Sequence, residues 1–94
     1  MRSVELLMSN PSGLHARPAT LFTESAAKFA SKITVENLSR GKGPIDAKSI
    51  LLLLTVGVSQ DHRIRLVADG PDEDEAMDAL VGLVESGLGE RPAT

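Results

Sequence analysis

The chain has 94 residues, which suits one domain built around one small hydrophobic core. Its net charge is −3 and it contains no cysteine, tryptophan or tyrosine, so we expect no disulfide framework, no thiolate metal site and no nucleic-acid partner. No apolar stretch is long enough to cross a membrane and no signal-peptide segment is apparent, so a cytoplasmic protein without membrane insertion is expected.

The first part of the chain predicts two strands separated by a turn and a helix. Apolar residues at alternating positions indicate a strand over Val4–Met8, and Asn10–Gly13 has the composition of a turn. Apolar residues then recur at helical spacing over Ala16–Ala30. Pro18 is compatible with this helix because first-turn N–H groups have no helical partner. Alternation over Ile33–Leu38 predicts the second strand.

The middle of the chain predicts a loop, a short edge strand and a short helix. Glycines and a proline favour a loop over Ser39–Pro44, and Ile45–Asp46 is expected to form a short edge strand. The periodicity of the largely apolar segment Ser49–Val56 fits either a strand or a helix. Ser49 as an N-cap and Gly57 as a stop signal favour the helix.

The last third predicts one more strand and a final helix. Arg63–Ala68 alternates between polar and aliphatic residues, which is typical of a strand with one wet face. The acidic run Asp72–Glu75 lies in the first turn of the final helix, where the helix dipole favours anions, and Gly87 can end that helix. The tail from Gly89, GERPAT, is expected to fray. The predicted domain therefore covers residues 1–90, and residues 91–94 are expected to form a flexible tail.

This order of elements, βαββαβα, predicts an α+β fold in a single domain. Alternating strands have one apolar and one polar face, so the helices are expected to cover only one side of the sheet. The predicted architecture is an open-faced β-sandwich, with three helices on one face of a four-stranded antiparallel sheet.

The segment SGLHARPAT, residues 12–20, places a histidine and an arginine at the start of the first predicted helix. The first N–H groups of a helix lack partners and its dipole attracts anions, so a phosphate on the ring of His15 would meet helix amides. The planar guanidinium of Arg17 suits phosphate oxygens, and Gly13 permits a tight turn. Ser12 can hydrogen-bond a backbone amide or the ring of His15. A surface or capping histidine is the alternative interpretation of the same residues.

Two motifs resemble those of one protein family. GLHARPA, at Gly13–Ala19, is similar to the active-site signature of the HPr phosphocarrier family of the sugar phosphotransferase system. DAKSI, at Asp46–Ile50, resembles the second signature of that family, around a regulatory serine. The resemblance spans almost the whole chain and implies the same βαββαβα, HPr-like order of elements.

The resemblance implies a role for each candidate residue. His15 would receive a phosphoryl group on Nδ1 from enzyme I, whose own donor is phosphoenolpyruvate, and would pass it to an enzyme IIA domain. Arg17 would pair with the phosphoryl oxygens, supported by Ser12 and Ala16. Ser49 matches a serine that an HPr kinase/phosphorylase phosphorylates in some members, although an N-cap role explains a serine there equally well. The resemblance thus implies a monomeric phosphocarrier, not an independent enzyme, without metal or cofactor.

The predicted short helix differs from the family because it contains four consecutive leucines. One short helix cannot bury them equally, so we expect Leu51 and Leu54 to be exposed beside the histidine. An exposed apolar patch rimmed by polar groups is typical of a partner surface. The predicted partner surface consists of Thr20, Ile50, Leu51 and Leu54.

Other positions bear on partner choice. Glu24 stands where many family members carry lysine, which puts recognition of a standard enzyme I in question. The segment NLSRGKGPIDAKS, residues 37–49, looks more like the HPr-like domain of the phosphoryl-transfer subunit of bacterial dihydroxyacetone kinase, so components of that kinase are alternative partners. His62 is expected to be exposed and inert, and Asp72–Glu75 to serve helix capping and solvation.

Two further functions fit parts of this pattern. A regulatory module on the same fold could act through Ser49 and the exposed leucines, although it would not need the intact motif GLHARP. A small hydrolase could use the histidine–arginine pair, but the sequence offers no clear water-activating base beside it.

Overall fold

The computed structural model describes residues 1–90, and the predicted tail at residues 91–94 lies outside them. The elements are β1 (Arg2–Leu7), α1 (Ala16–Ala27), β2 (Lys32–Asn37), β3 (Lys42–Asp46), α2 (Ile50–Thr55), β4 (Arg63–Asp69) and α3 (Glu73–Glu85). The strands form one sheet in the order β1-β4-β2-β3, in which every neighbouring pair is antiparallel. This confirms the predicted α+β open-faced sandwich. No helix in the described part of the chain is long and apolar enough to cross a membrane.

The two faces of the sheet differ as the alternation predicts. In the centre, Val35 of β2 lies opposite Leu66 of β4, and both side chains are buried on the face that the helices cover. On the other face, the guanidinium of Arg65 donates to Glu5 at 3.1 Å and to Glu36 at 3.3 Å. These partly exposed ion pairs join β1, β4 and β2 across a face that no helix covers.

One hydrophobic core fills the space between the sheet and the helices. Each helix contributes at least one fully buried side chain: Phe22 from α1, Leu53 from α2 and Leu80 from α3. Burying a side chain of this size stabilises the folded state by about 1.5–3 kcal/mol relative to leaving it exposed. The short α2 is therefore held by the core.

The end of α1 is set by a carboxylate from the start of α3. The helix ends at Ala27 rather than at the predicted Ala30. Beyond it, the N–H groups of Ala30 and Ser31 donate to the carboxylate of Asp72 at 2.8 and 2.9 Å, and the Ser31 hydroxyl donates to it as well. These bonds, the hydroxyl first among them, lower the pKa of Asp72. Asp72 is the N-cap residue of α3 without a side-chain capping bond, so the expectation of capping and solvation alone was wrong for it.

Strand β3 is longer than predicted. It covers Lys42–Asp46, so the expected loop Ser39–Pro44 is wrong over its second half. β3 lies at the edge of the sheet and pairs only with β2, and its register against β2 shifts once. An irregular edge strand tolerates the Gly43–Pro44 pair because proline at an edge need not donate a ladder hydrogen bond.

The other predicted helix signals are confirmed. The hydroxyl of Ser49 accepts the N–H of Leu52 at 3.3 Å and caps α2. After α3, Gly87 adopts a φ of +93°, which favours glycine. Its N–H donates to Val84 and that of Leu88 to Leu83, each at 3.1 Å, which is the hydrogen-bond pattern of a Schellman motif. The last residue of this turn, Leu88, is fully buried.

Candidate functional site

His15 lies where an extended segment becomes α1. It is the N-cap residue, with φ −129° and ψ 161°, and its side chain makes no capping hydrogen bond. The ring is half-buried and has no hydrogen-bond partner within residues 1–90. The next residue, Ala16, has a φ of +52°, a left-handed conformation that costs a residue with a side chain about 1–2 kcal/mol. The predicted helix start is confirmed, and the imidazole is left free for other chemistry.

The first turn of α1 places a cation close to His15 in the chain. Arg17 is exposed, and its guanidinium forms no ion pair within the part of the chain that the structure describes. Pro18 is buried in the same turn, as predicted, and the hydroxyl of Thr20 donates to the carbonyl of Ala16 at 3.4 Å. Residues 1–90 contain no cluster of three or more histidine or carboxylate side chains placed to hold a metal ion.

The backbone before His15 is fixed against the loop after α2. The N–H of Leu14 donates to the carbonyl of Val58 at 3.0 Å, and the Leu14 side chain is fully buried. Gly13 has a φ of +59°, and a Cβ there would lie 2.3 Å from the carbonyl oxygen of Val58. Only glycine fits so close to a neighbouring backbone. The predicted need for Gly13 is thus explained by close approach as well as by turn geometry.

The turn that leads to this backbone is held by Glu90. The carboxylate accepts the backbone N–H of Ser12 at 2.9 Å, the Ser12 hydroxyl at 2.7 Å and the Asn10 side-chain amide at 3.0 Å. These bonds, the Ser12 hydroxyl first, lower the pKa of Glu90. The expectation that the tail frays from Gly89 was therefore wrong for Glu90. The Ser12 hydroxyl donates to Glu90 and not to the ring of His15, because the carboxylate is the stronger acceptor.

A second buried amide organises the loop beside this site. The Asn37 side chain, at the end of β2, donates to the carbonyl of Val56 at 2.8 Å and lies 3.2 Å from Nδ1 of His62. The same Nδ1 accepts the N–H of Ser59 at 3.0 Å. His62 is half-buried, so the prediction of an exposed, inert histidine was wrong. Because Nδ1 accepts these bonds, the neutral ring carries its proton on Nε2.

The exposed apolar surface of α2 is larger than predicted. Leu51 is 75% exposed and Leu54 40%, as expected, and Ile50 and Leu52 are 37% and 43% exposed. Leu53 alone points into the core of the fold. We call Ile50, Leu51, Leu52 and Leu54 the leucine patch. No residue of α2 carries a charge, and the helix packs against α1.

Glu24 lies away from the leucine patch. It lines an open groove between α1 and α3, together with Lys28 and Leu21 of its own helix and Gly82 and Leu83 of α3. The exposed carboxylate therefore marks the side of α1 that faces α3. Its consequence for partner choice remains a prediction.

The comparison with known proteins agrees with this arrangement. A family model described as "PTS HPr component phosphorylation site" matches residues 3–86. The chain belongs to the HPr family. HPr proteins are phosphocarriers of the phosphotransferase system and not independent catalysts, and this chain is a phosphotransfer component of that kind.

The relatives are both free HPr proteins and parts of longer proteins. Over 85 residues the chain is 35% identical to the phosphocarrier protein HPr of Mycoplasma pneumoniae, which covers 90% of this chain and 94% of that protein. It is 43% identical over 81 residues to the multiphosphoryl transfer protein of Haemophilus influenzae, covering 86% of this chain. It spans only 16% of the length of that relative.

Solved HPr structures have the same fold. An HPr from Thermoanaerobacter tengcongensis superimposes with a TM-score of 0.91 at 46% identity, covering 97% of this chain and 99% of that one. A second structure from that organism, an HPr dimer, has a TM-score of 0.73 at 47% identity and covers 96% of this chain and 100% of that one. HPr chains of this fold therefore occur as dimers, so the monomer expected from the resemblance stays a prediction.

Proposed function

We propose that the chain accepts a phosphoryl group on Nδ1 of His15 from phosphorylated enzyme I and donates it to an enzyme IIA domain in sugar uptake. Phosphoenolpyruvate is the ultimate donor, and the exchange takes place in the cytoplasm. In each transfer, a phosphorus–nitrogen bond forms on the acceptor histidine as the one on the donor histidine breaks. The observation that carries this proposal is an N-cap imidazole that makes no capping bond.

The start of α1 offers the donors that a phosphoryl group on His15 would need. The amides of the first helical turn have no partner inside the helix, and the helix dipole adds partial positive charge there. Arg17 is the proposed partner of the phosphoryl oxygens, and Ala16 supplies the first amide of the helix. Ser12 supports the site through the turn before His15, since its own N–H and hydroxyl donate to Glu90.

The leucine patch supports a docking role for α2. Four exposed aliphatic side chains on one short helix form an apolar surface without charge, which is typical of a surface that another protein covers. We assign Ile50, Leu51 and Leu54, together with the exposed Thr20 of α1, to the surface that enzyme I and enzyme IIA contact.

The proposal is tested by incubating the purified chain with phosphoenolpyruvate and enzyme I and measuring its mass. We expect the gain of one phosphoryl group, lost in acid and absent in His15→Ala. The chain has two histidines, so His62→Gln is the matched control and should still be phosphorylated. A phosphoryl group that persists in His15→Ala, or no product with a cognate enzyme I, contradicts the proposal.

Two acceptors should be compared in the same assay. Curated relatives include multiphosphoryl transfer proteins as well as free HPr, and the segment at residues 37–49 resembles an HPr-like domain of dihydroxyacetone kinase. The phosphorylated chain should pass its phosphoryl group to an enzyme IIA domain. Transfer only to dihydroxyacetone kinase components would place the chain in that phosphorelay. Light scattering during gel filtration tests the expected monomer.

Phosphorylation of Ser49 is a separate possibility that needs its own measurement. The Ser49 hydroxyl already has a structural role, because it caps α2. Incubation with an HPr kinase/phosphorylase and ATP, followed by mass analysis of Ser49→Ala, decides whether this serine is modified.

A further inference from the structure

The carboxylate of Glu90 is the best-bonded acceptor near His15. It accepts three donors from two residues of one turn: the N–H and hydroxyl of Ser12 and the side-chain amide of Asn10, all within 2.7–3.0 Å. Bonds from such donors to a carboxylate are stronger than bonds between neutral groups. Glu90 lies 78 residues from Ser12 in the chain, so this contact joins the two ends of the domain.

Glu90 is held at this position by the turn after α3. Its N–H donates to the carbonyl of Gly87 at 2.9 Å, and a Cβ at Gly87 would lie 2.3 Å from the carbonyl oxygen of Glu90. The intervening Leu88 is fully buried in the core. The carboxylate is therefore attached to a rigid part of the fold, and it transmits that rigidity to the turn it binds.

The bonded turn determines where the chain enters His15. The amide of Asn10 that binds Glu90 also donates to the carbonyl of Gly13 at 2.9 Å, and the N–H of Gly13 donates to the carbonyl of Asn10 at 3.2 Å. The Asn10 side chain is fully buried, so it cannot exchange these bonds for water. Gly13 is two residues before His15, and Leu14 between them is bound to Val58.

We propose that Glu90 is a positioning residue for phosphoryl transfer at His15, acting through Asn10 and Ser12; this rests on the proposed function. The carboxylate orients the turn so that the imidazole is presented at the helix start in one conformation. A carboxylate suits this task because both of its oxygens accept. A glutamine keeps the shape but turns one acceptor into an NH₂ group that faces donors, so the turn loses its arrangement.

Asp72 supplies a matched control at the opposite end of α1. Its carboxylate also accepts two kinds of donor from a turn, the N–H groups of Ala30 and Ser31 and the Ser31 hydroxyl. Asp72→Asn and Glu90→Gln therefore remove the same charge and the same kind of acceptor. They differ in which end of α1 they affect, and only one end carries His15.

The experiment measures phosphorylation of wild type, Glu90→Gln and Asp72→Asn by enzyme I at varied carrier concentration, with thermal melts alongside. We expect kcat to fall about ten-fold in Glu90→Gln with little change in KM, because the docking surface on α2 is intact while the nucleophile is misplaced. Asp72→Asn should stay within about two-fold of wild type, although both variants melt at lower temperature. Equal losses in the two variants, no loss in Glu90→Gln, or faster phosphorylation of Glu90→Gln would overturn the inference.

A second measurement separates this inference from the proposed function. NMR signals of the His15 ring in the unphosphorylated protein should shift in Glu90→Gln and stay in place in Asp72→Asn. Unchanged ring signals in Glu90→Gln overturn the positioning role even if wild type is phosphorylated. Shifted signals in a chain that enzyme I never phosphorylates would leave the geometry intact and refute the proposed function instead.

Discussion

Helix α1 is held at both ends by carboxylates that flank α3. After the C-terminal end of α1, Asp72 accepts the N–H groups and hydroxyl of the Ala30–Ser31 turn. Before its N-terminal end, Glu90 accepts donors of Asn10 and Ser12. The chemistry is the same at both ends, and hydrogen bonds lower the pKa of both carboxyls. What differs is the neighbourhood: one turn leads into a strand, whereas the other leads to a histidine with a free ring. Location, rather than bond type, separates a structural contact from a functional one.

The largest effect on the His15 end should come from Gly13→Ala. Both Gly13 and Gly41 have positive φ angles, +59° and +64°, but only the new Cβ at Gly13 would collide with a neighbouring backbone. We expect Gly13→Ala to lower the free energy of unfolding by about 3 kcal/mol or more, and Gly41→Ala by about 1 kcal/mol. Urea unfolding measures both. Equal costs would mean that the close approach to Val58 does not constrain the His15 end.

Acidification should release both carboxylates. Because their pKa values in the folded state lie below those in the unfolded chain, their contribution is present above the unfolded values, about 4, and is lost as pH falls through the folded values. The double variant Asp72→Asn/Glu90→Gln should lose less stability than wild type between neutral and acidic pH. Glu73, whose pKa is lowered by the N-terminal amine, leaves a residual slope. Urea unfolding at a series of pH values measures the slopes; equal slopes would show that neither contact contributes.

A smaller effect compares the two serines. The hydroxyls of Ser12 and Ser31 each donate to one of the carboxylates, so Ser12→Ala and Ser31→Ala should each cost about 0.5–1.5 kcal/mol of stability. Only Ser12→Ala should slow phosphorylation by enzyme I. A comparable slowing in Ser31→Ala would indicate that the loss of stability alone reduces transfer, and the contrast between the ends would disappear.

The smallest effect on stability should come from a change that touches neither carboxylate. Leu51 is 75% exposed, so Leu51→Ser should alter the free energy of unfolding by less than about 0.5 kcal/mol. Its expected consequence is a higher KM with enzyme I and an unchanged kcat, the reverse of the split expected for Glu90→Gln. Leu53→Ala is the contrast on the same helix, because its fully buried side chain should cost about 2–5 kcal/mol.

Local patterns predicted most of this fold. The alternation in β4, the cap at Ser49 and the helix start beside His15 each depend on residues close together in the chain, and each is confirmed. The exposure of Leu51 and Leu54 followed from the small surface of a short helix. These features need no knowledge of distant contacts.

The residues that sequence reasoning missed act over long distances. Glu90 lies in a polar segment with glycine and proline, which is typical of a frayed tail, yet its partners lie at the other end of the chain. Asn37 and His62 likewise meet only because β2 and β4 are neighbours in the sheet. No local signal marked them. The length of β3 was missed because its glycine and proline, typical of loops, are accommodated by an irregular edge strand.

The absence of charge on α2 has a consequence for how the leucine patch associates with another protein. Exposed aliphatic surface gains free energy by releasing water, and this gain weakens on cooling. Dissolved salt screens charges over about 8–10 Å and has little effect on such contacts. Affinity for a protein docked on α2 should therefore respond strongly to temperature and weakly to ionic strength, with the salt-sensitive part confined to Arg17 and its surroundings.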